Sequence, residues 1–169
     1  MSQAATKQSS ETKPEQPRFE NSKPLLIAGL KKSYAPAAMR GIPAQWQTFA
    51  PHIGKIPGQM GLSTYGVCWQ APDGANIEYL TGVEVSTFAG MPDNFTVVSL
   101  PAAKYAVFPH RAHVSKLYET CDSISRWLPD SGHQSAADAE TPAFFERYSE
   151  EFDPQTGMGG MEVWVPLKS

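Results

Sequence analysis

A carboxylate flanked by aromatic residues is the feature of this sequence that points most directly to chemistry. Residues 142–148 read Pro-Ala-Phe-Phe-Glu-Arg-Tyr and are predicted to form a short strand. Because side chains alternate between the two faces of a strand, Phe144, Glu146 and Tyr148 would share one face. The rings offer contact area and cation–π attraction, and the carboxylate offers a counter-charge. The segment therefore predicts a site for a flat, lipophilic, positively charged molecule; a surface glutamate on an edge strand is the alternative.

The composition argues against several other functions. The chain has 14 basic and 17 acidic residues, a formal net charge of −3 and no basic block. Phosphate binding needs clustered Lys and Arg, so direct binding of nucleic acid is not expected. No apolar run approaches the ~20 residues that cross a bilayer, and no apolar segment typical of a signal peptide follows the N-terminus. We therefore expect a cytoplasmic protein that does not enter the membrane.

Cysteines and histidines give no metal-site pattern. Cys68 and Cys121 are far apart, and we expect both to be buried as small apolar residues. His110 and His113 have a three-residue spacing that suits a metal, but no nearby Cys or carboxylate completes a site. Neither a metal nor another cofactor is expected.

The N-terminal segment differs from the rest of the chain. Residues 1–17 are Ser, Gln, Lys, Thr, Glu and Pro with almost nothing apolar, and are predicted to be a disordered tail. We therefore expect no helix-turn-helix unit ahead of the domain. Residues 18–169 are expected to form one domain.

The domain reads as two similar modules, at about 18–90 and 91–169. The first has a strand over 19–30, a loop over 31–41 with one possible helical turn, a helix near 43–49, and strands over 63–70 and 77–85 joined by an Asp-Gly turn. The second has strand segments over 95–100 and 105–108, a helix over 114–128 ended by Pro129, and strands over 144–150 and 161–167. Each module follows the order strand–helix–strand–strand, and neither can bury a core alone, so the two should share one.

Aligning the two modules places residues 64–68 where residues 144–148 fall. Gly66 is then expected opposite Glu146 about a pseudo-twofold axis, so that one side of a cavity is small and open and the other is charged. Ligand sites commonly lie between such packed units. The predicted fold class is α+β, with a mostly antiparallel sheet and a ligand pocket at the junction of the modules.

Other residues are candidates for the walls of this pocket. Trp46 lies on the inner face of the first helix, and its side chain is expected either to pack in the core or to line the pocket. Tyr65 and Tyr105 either face the cavity or pack in the core. The full set of candidate ligand-binding residues is Trp46, Tyr65, Gly66, Cys68, Tyr105, Phe144, Glu146 and Tyr148.

From Phe19 to the C-terminus, the order and spacing of short motifs resemble the GyrI-like small-molecule-binding domain family. This domain is also the effector-binding domain of some multidrug-sensing transcription activators. The matching features are Leu26-Ile27-Ala28-Gly29, Trp46 with Phe49, Tyr65-Gly66-Val67, Ile77-Glu78-Tyr79, Gly82-Val83-Glu84-Val85, residues 101–108, Trp127-Leu128-Pro129 with Ser131-Gly132, Phe145-Glu146-Arg147-Tyr148 and residues 162–166. The resemblance implies two strand–helix–strand–strand modules around a pocket, with Glu146 at its floor as counter-charge for lipophilic cations. Without a helix-turn-helix unit, direct control of transcription is not implied.

Three functions follow from these features. The first is a stand-alone protein that binds amphipathic, cationic small molecules and sequesters or reports them. The second is a hydrolase of strained electrophilic natural products, as some members of the resembled family are, with Glu146 as general base and Tyr148 or Tyr65 polarising the substrate. Against it, no serine elbow or Cys-His pair is recognisable. The third is a protein-interaction module, for instance one that binds a topoisomerase; any protein partner is unknown.

Overall fold

Residues 15–169, which the computed structural model describes, form eight strands and two α-helices. The strands are β1 (Arg18–Ser22), β2 (Leu25–Tyr34), β3 (Gln59–Gln70), β4 (Ile77–Val85), β5 (Thr96–Leu100), β6 (Ala103–His110), β7 (Phe144–Tyr148) and β8 (Met161–Leu167). The helices are α1 (Ile42–Phe49) and α2 (Leu117–Asp130), with short 3-10 helices at Pro36–Gly41, Ala50–His52 and Val114–Lys116. Most of the predicted tail, residues 1–14, lies outside the described residues.

All eight strands belong to one antiparallel sheet, in the order β1-β6-β8-β7-β3-β4-β2-β5. The first module contributes β1–β4 and the second contributes β5–β8. Exchanging each strand for its counterpart in the other module and reading from the opposite end gives the same order, as a pseudo-twofold axis requires. At its centre, Gly66 on β3 pairs directly with Glu146 on β7, which confirms the predicted opposition. The edge strands are exchanged: β1 pairs with β6, and β5 pairs with β2. The α+β fold class is confirmed.

Two short connections make the sheet curl strongly. Strand β1 lies at one end of the sheet and β2 lies near the other, yet only Lys23 and Pro24 separate them. Ser22 and Leu25 can therefore be at most about 11 Å apart. The two-residue link from β5 to β6 imposes the same closure. The face that carries no helix is thus turned inward, and it holds a continuous buried cluster: Ile27, Tyr65, Val67, Trp69, Leu80, Leu100, Tyr105, Val107 and Phe145.

The opposite face carries both helices, with a strip of sheet between them. Phe49 of helix α1 packs in a cluster with Val83 of β4 and Ala28 of β2. Ile124 of helix α2 packs in a cluster with Val163 of β8 and Ala106 of β6. The apolar stripe of each helix packs on its own half of the sheet, as amphipathic helices do. The central strands β3 and β7 therefore lie between the helices.

The predicted strand over 19–30 is wrong in one respect, because the segment forms two strands. Pro24 has no N–H to donate to a ladder and separates β1 from β2. Strand β2 then continues to Tyr34, through residues predicted as a loop, since Lys31–Ser33 pair with β4. The suggested helical turn over residues 37–39 lies in a 3-10 helix.

Helix α2 also differs from the prediction at its C-terminus. It extends to Asp130, one residue beyond the Pro129 predicted to end it. The following Ser131 closes the helix, because its N–H donates to the Leu128 carbonyl at 3.2 Å. None of the helices in residues 15–169 combines the length and apolar character needed to cross a membrane.

Candidate functional site

Glu146 lies at the centre of the sheet, on the face that carries the helices. Its cross-strand partner Val163 packs beneath α2, and opposed residues in a ladder share a face. Only 7% of Glu146 is exposed, although ionisable residues are rarely buried without partners. The alternative interpretation as a surface glutamate is therefore wrong. A buried carboxylate needs hydrogen-bond donors, and three surrounding residues supply a connected set.

Two tyrosine hydroxyls donate to the Glu146 carboxylate. The Tyr79 hydroxyl lies 2.9 Å from Oε1 and 3.0 Å from Oε2, and the Tyr148 hydroxyl lies 3.1 Å from Oε1. The Tyr79 oxygen in turn accepts from the indole N–H of Trp46 at 3.1 Å. This chain of donors runs from α1 through β4 to β7. The carboxylate is thus held in one orientation by residues from three separate elements.

Gly66 makes this arrangement possible. Tyr79 projects from β4, and β3 lies between it and Glu146. A Cβ atom at position 66 would lie 2.1 Å from the Tyr79 hydroxyl oxygen, closer than any real contact. The ring of Tyr79 therefore crosses β3 only because position 66 has no side chain. The prediction that the Gly66 side of the cavity is open is wrong, because the phenol of Tyr79 fills that space.

Burial governs the electrostatics of the site. It raises the pKa of Glu146 to about 7, and the hydrogen bonds from Tyr79 and Tyr148 oppose that rise. Burial and the neighbouring carboxylate raise the pKa of both Tyr79 and Tyr148 well above the ordinary value, so each hydroxyl stays protonated and able to donate. Near neutral pH the site therefore changes charge at Glu146 alone.

Two thiols also flank the carboxylate. Burial, followed by the charge of Glu146, raises the pKa of Cys68 to about 12, and the same two causes act on Cys121 with the same result. Cys68 packs with Tyr34 and Tyr79 on the sheet, whereas Cys121 comes from α2. Both thiols are neutral surfaces rather than nucleophiles. Within the described part of the chain, no three His, Cys, Asp or Glu side chains are grouped as a metal ion would require.

Aromatic rings surround Tyr148 and thereby cover the carboxylate. Trp46 meets the Tyr148 ring edge-on at 5.3 Å, and Phe152 meets it at 5.0 Å. Phe144 packs against the cluster beneath α2 and also against the cluster that contains Trp46. Trp46, Phe144 and Phe152 are each half-buried, so part of each ring faces outward. The site is a charged centre with aromatic walls, lying between α1 and α2.

The structure brings most of the predicted site residues together and separates two. On the helix face lie Trp46, Gly66, Cys68, Phe144, Glu146 and Tyr148. Tyr65 and Tyr105 are on the opposite face, where they contact Phe145 at 5.7 and 5.2 Å between ring centroids. Consecutive residues of a strand cannot share a face, so Tyr65 cannot line a site that Gly66 lines. Tyr65 and Tyr105 therefore pack in the core, which was the alternative prediction for both.

Tyr79 belongs to the candidate site, although the sequence patterns did not predict it there. The Asp73-Gly74 turn sets the register of the β3–β4 hairpin, in which Cys68 pairs with Tyr79. That register already places Tyr79 on the face of Cys68 and Gly66, so the signal was present in the hairpin. Cys121 and Phe152 had no such signal, because a helix and a loop bring them to the site.

Comparison with known proteins agrees with this architecture. Residues 15–168 match the model of the GyrI-like small molecule binding domain. The transcriptional regulator BrlR of Pseudomonas aeruginosa is 27% identical over 124 residues, which span 72% of this chain and 44% of that regulator. The matched stretch is thus less than half of the regulator's length.

Solved structures share the fold at low sequence identity. The structure of SAV2435 bound to tetraphenylphosphonium has a TM-score of 0.75 and 20% identity, with 92% of this chain and 95% of that chain covered. The C-terminal domain of EcmrR has a TM-score of 0.61 and 11% identity, with 91% and 98% covered. At these identities the likeness concerns the fold.

Proposed function

The chain belongs to the GyrI-like small-molecule-binding domain family, and on that premise we propose that it binds amphipathic, cationic aromatic molecules with Glu146 as the counter-charge. One observation carries the proposal: a buried carboxylate is held by two tyrosine hydroxyls between aromatic rings at the centre of the sheet. Ligand binding there would serve to sequester a compound or to report its presence.

The charge of Glu146 accounts for selectivity. Removing an ionised carboxylate from water costs several kcal/mol, and hydroxyl donors offset only part of that cost. A carboxylate has about four lone-pair sites, whereas Tyr79 and Tyr148 supply one proton each. Acceptor capacity therefore remains for a guest. A cation recovers the residual cost, whereas a neutral molecule does not and an anion increases it.

The aromatic walls account for breadth of specificity. Trp46, Phe144, Tyr148 and Phe152 present ring faces and edges next to the charge. Stacking and cation–π contacts contribute about 0.5–2 kcal/mol each and tolerate many ligand shapes. The half-buried rings between α1 and α2 mark the side from which a guest would enter. The ligand class follows as flat or ring-bearing lipophilic cations.

The ligand of a protein with the same fold supplies the probe. The structure of SAV2435 was obtained with tetraphenylphosphonium, a lipophilic cation whose charge does not titrate. Tetraphenylborate has nearly the same shape and the opposite charge, so the pair separates electrostatic from hydrophobic binding. We expect tetraphenylphosphonium to bind with micromolar affinity and tetraphenylborate to bind at least tenfold more weakly, by calorimetric titration.

Substitution of the carboxylate tests its role directly. Glu146→Gln keeps the shape and removes the charge, and we expect tetraphenylphosphonium affinity to fall about tenfold or more. Glu150→Gln is the matched control, because Glu150 is exposed just beyond β7. Equal affinity in Glu146→Gln and wild type, with both proteins folded, would show that Glu146 is not the counter-charge.

Hydrolysis is a second candidate function, favoured by the pKa of Glu146. A general base works best when its pKa lies near the operating pH, and burial raises that of Glu146 to about 7. Tyr148 is a neighbouring hydroxyl that a reacting oxygen could contact. This candidate predicts turnover of an epoxide- or cyclopropane-bearing aromatic compound, abolished in Glu146→Gln. Stoichiometric binding without product would reject it.

A further inference from the structure

Two grooves meet at Arg147 on the helix-free side of the sheet. The smaller, of about 320 Å³, is lined by Arg18, Glu20, Ser22, Leu25, Tyr65, Phe145, Arg147 and Trp164. The larger, of about 900 Å³, also includes Arg18 and Arg147 and extends towards Arg111. Volumes of about 300–1,000 Å³ are typical of small-molecule sites. Glu146 lines neither groove.

We propose that the smaller groove is a second ligand site, specific for planar aromatic carboxylates, with Arg147 as the anchor. It is independent of the cation site. Glu146 and Arg147 are consecutive in β7, so their side chains leave opposite faces of the sheet. The Arg147 side chain lies across from Tyr65 and Glu162. One short strand thus presents a carboxylate to one site and a guanidinium to the other.

Among Arg18, Arg111 and Arg147, the last has the longest ion-pair contact. Its closest carboxylate contact within residues 15–169 is Glu162 Oε1 at 3.6 Å, which is longer than a hydrogen bond. Glu162 is already bound by Arg18 and accepts from the Trp164 indole N–H at 3.3 Å. About a third of the Arg147 side chain is exposed. A planar guanidinium with five donors is suited to bind a carboxylate through two parallel hydrogen bonds.

Two of the three charged side chains that line the smaller groove are positive. Arg18 and Arg147 face it with Glu20 as the single carboxylate. Glu20 forms an ion pair with Arg18, in which the Arg18 Nε lies 3.0 Å from the Glu20 Oε1. Arg147, whose contact with Glu162 is 3.6 Å long, is therefore the positive charge most available to a guest, and a carboxylate there would supply the acceptors that Glu162 does not.

The floor beneath Arg147 is aromatic and flat. The rings of Phe145 and Trp164 are stacked at 5.3 Å with 18° between their planes, and Tyr65 meets Phe145 edge-on. Trp164 is half-buried and lines the groove, with the Arg18 guanidinium 5.8 Å from its ring centroid. The Tyr65 hydroxyl belongs to the cross-strand partner of Arg147 and adds a polar group near the guanidinium. A planar ring bearing a carboxylate matches both the floor and the anchor.

The proposal is tested with 2-naphthoate, and 2-naphthamide serves as its uncharged counterpart. By calorimetric titration, we expect wild-type protein to bind 2-naphthoate about tenfold more tightly than 2-naphthamide. In Arg147→Gln that preference is expected to disappear. Arg111→Gln is the matched control, because Arg111 is exposed at the far end of the larger groove and pairs with Glu15; it should retain the preference. Absence of 2-naphthoate binding, or an unchanged preference in Arg147→Gln, would overturn the proposal.

Two further measurements separate this site from the cation site and from a folding defect. Glu146→Gln should leave 2-naphthoate affinity within twofold of wild type. Because the charge of Glu146 repels an anion, clearly tighter binding in this variant would place the carboxylate ligand at Glu146 and refute the proposal. In wild-type protein, 2-naphthoate should shift the indole N–H resonance of Trp164 and leave that of Trp46 unchanged. The opposite pattern would also refute it, whether or not Arg147→Gln folds.

Discussion

The hydroxyl of Tyr79 lies 2.9 Å from the carboxylate of Glu146, although 67 residues separate them in the sequence. Tyr79 belongs to β4 and Glu146 to β7, and β3 runs between them. Because the phenol crosses β3 over Gly66, one glycine determines whether the central carboxylate keeps the Tyr79 hydroxyl as its second donor beside Tyr148. The hydroxyl also accepts from Trp46, so the same contact connects α1 to the charge.

Gly66→Ala should disrupt this contact. The new methyl group would meet the Tyr79 hydroxyl oxygen at 2.1 Å and the adjacent ring carbon at 2.8 Å, so the ring must move away from Glu146. We expect the free energy of unfolding to fall by about 1–3 kcal/mol, as for other overpacked cores. Tetraphenylphosphonium affinity should fall as well. Urea denaturation and calorimetric titration measure the two effects, and wild-type values in both would contradict the role assigned to Gly66.

Cation binding should depend on pH through Glu146. Its pKa of about 7 means that roughly a tenth of the carboxylate is ionised at pH 6 and nine tenths at pH 8. Tetraphenylphosphonium should therefore bind about tenfold more tightly at pH 8 than at pH 6. Tyr79→Phe removes a donor that lowers the pKa of Glu146, so the midpoint of this dependence should move to higher pH. A flat profile in wild type, or an unmoved midpoint in Tyr79→Phe, would count against the assignment.

The stability of the unliganded protein should depend on pH in the opposite sense. Glu146 has a folded-state pKa of about 7, above its ordinary value of 4.5, so the folded state holds this proton more tightly than the unfolded chain. The stabilisation from the protonated form is complete below about pH 4.5 and is lost as the pH rises to about 7. Relative to Glu146→Gln, the wild-type free energy of unfolding should fall by roughly 3 kcal/mol across this window. Parallel profiles of the two proteins would refute the buried titration.

Gln45 is expected to hold α1 in register with the site. Its amide nitrogen donates to the carbonyls of Leu30 and Tyr79 at 2.8 and 3.0 Å, and its oxygen accepts from the Tyr34 hydroxyl at 2.6 Å. Gln45→Met removes these three hydrogen bonds from buried groups and should lower the free energy of unfolding by about 2 kcal/mol or more.

Gln47→Met is the matched control for this prediction, because Gln47 is exposed on the same helix. It should change stability by less than about 0.5 kcal/mol. Urea denaturation of both variants gives the comparison. If Gln45→Met were as stable as Gln47→Met, the buried amide would not be an anchor of α1.

Local patterns predicted the central elements well. The bounds of β4 and β8 agree with the prediction, since both strands carry alternating apolar residues and both follow a Gly-containing turn or loop. The opposition of Gly66 and Glu146 followed from aligning the two modules, and the β3–β7 ladder confirms it. The single strand predicted over 19–30 is wrong, because Pro24 has no N–H for a ladder and the segment divides there. Membership of the candidate site was predicted less well for Tyr65 and Tyr105, whose faces depend on strand parity.

What the amino-acid sequence determined by itself was the order of elements, the twofold arrangement of modules and the position of Glu146 among aromatic residues. These follow from side-chain periodicity and turn chemistry, which act over a few neighbouring residues. Only the tertiary structure decided that Tyr79 reaches Glu146 across Gly66 and that Cys121 of α2 joins the site. It also decided that Arg147 lines two grooves that Glu146 does not line. Those contacts depend on strand register, helix placement and sheet curvature, which are set by packing between residues distant in the chain.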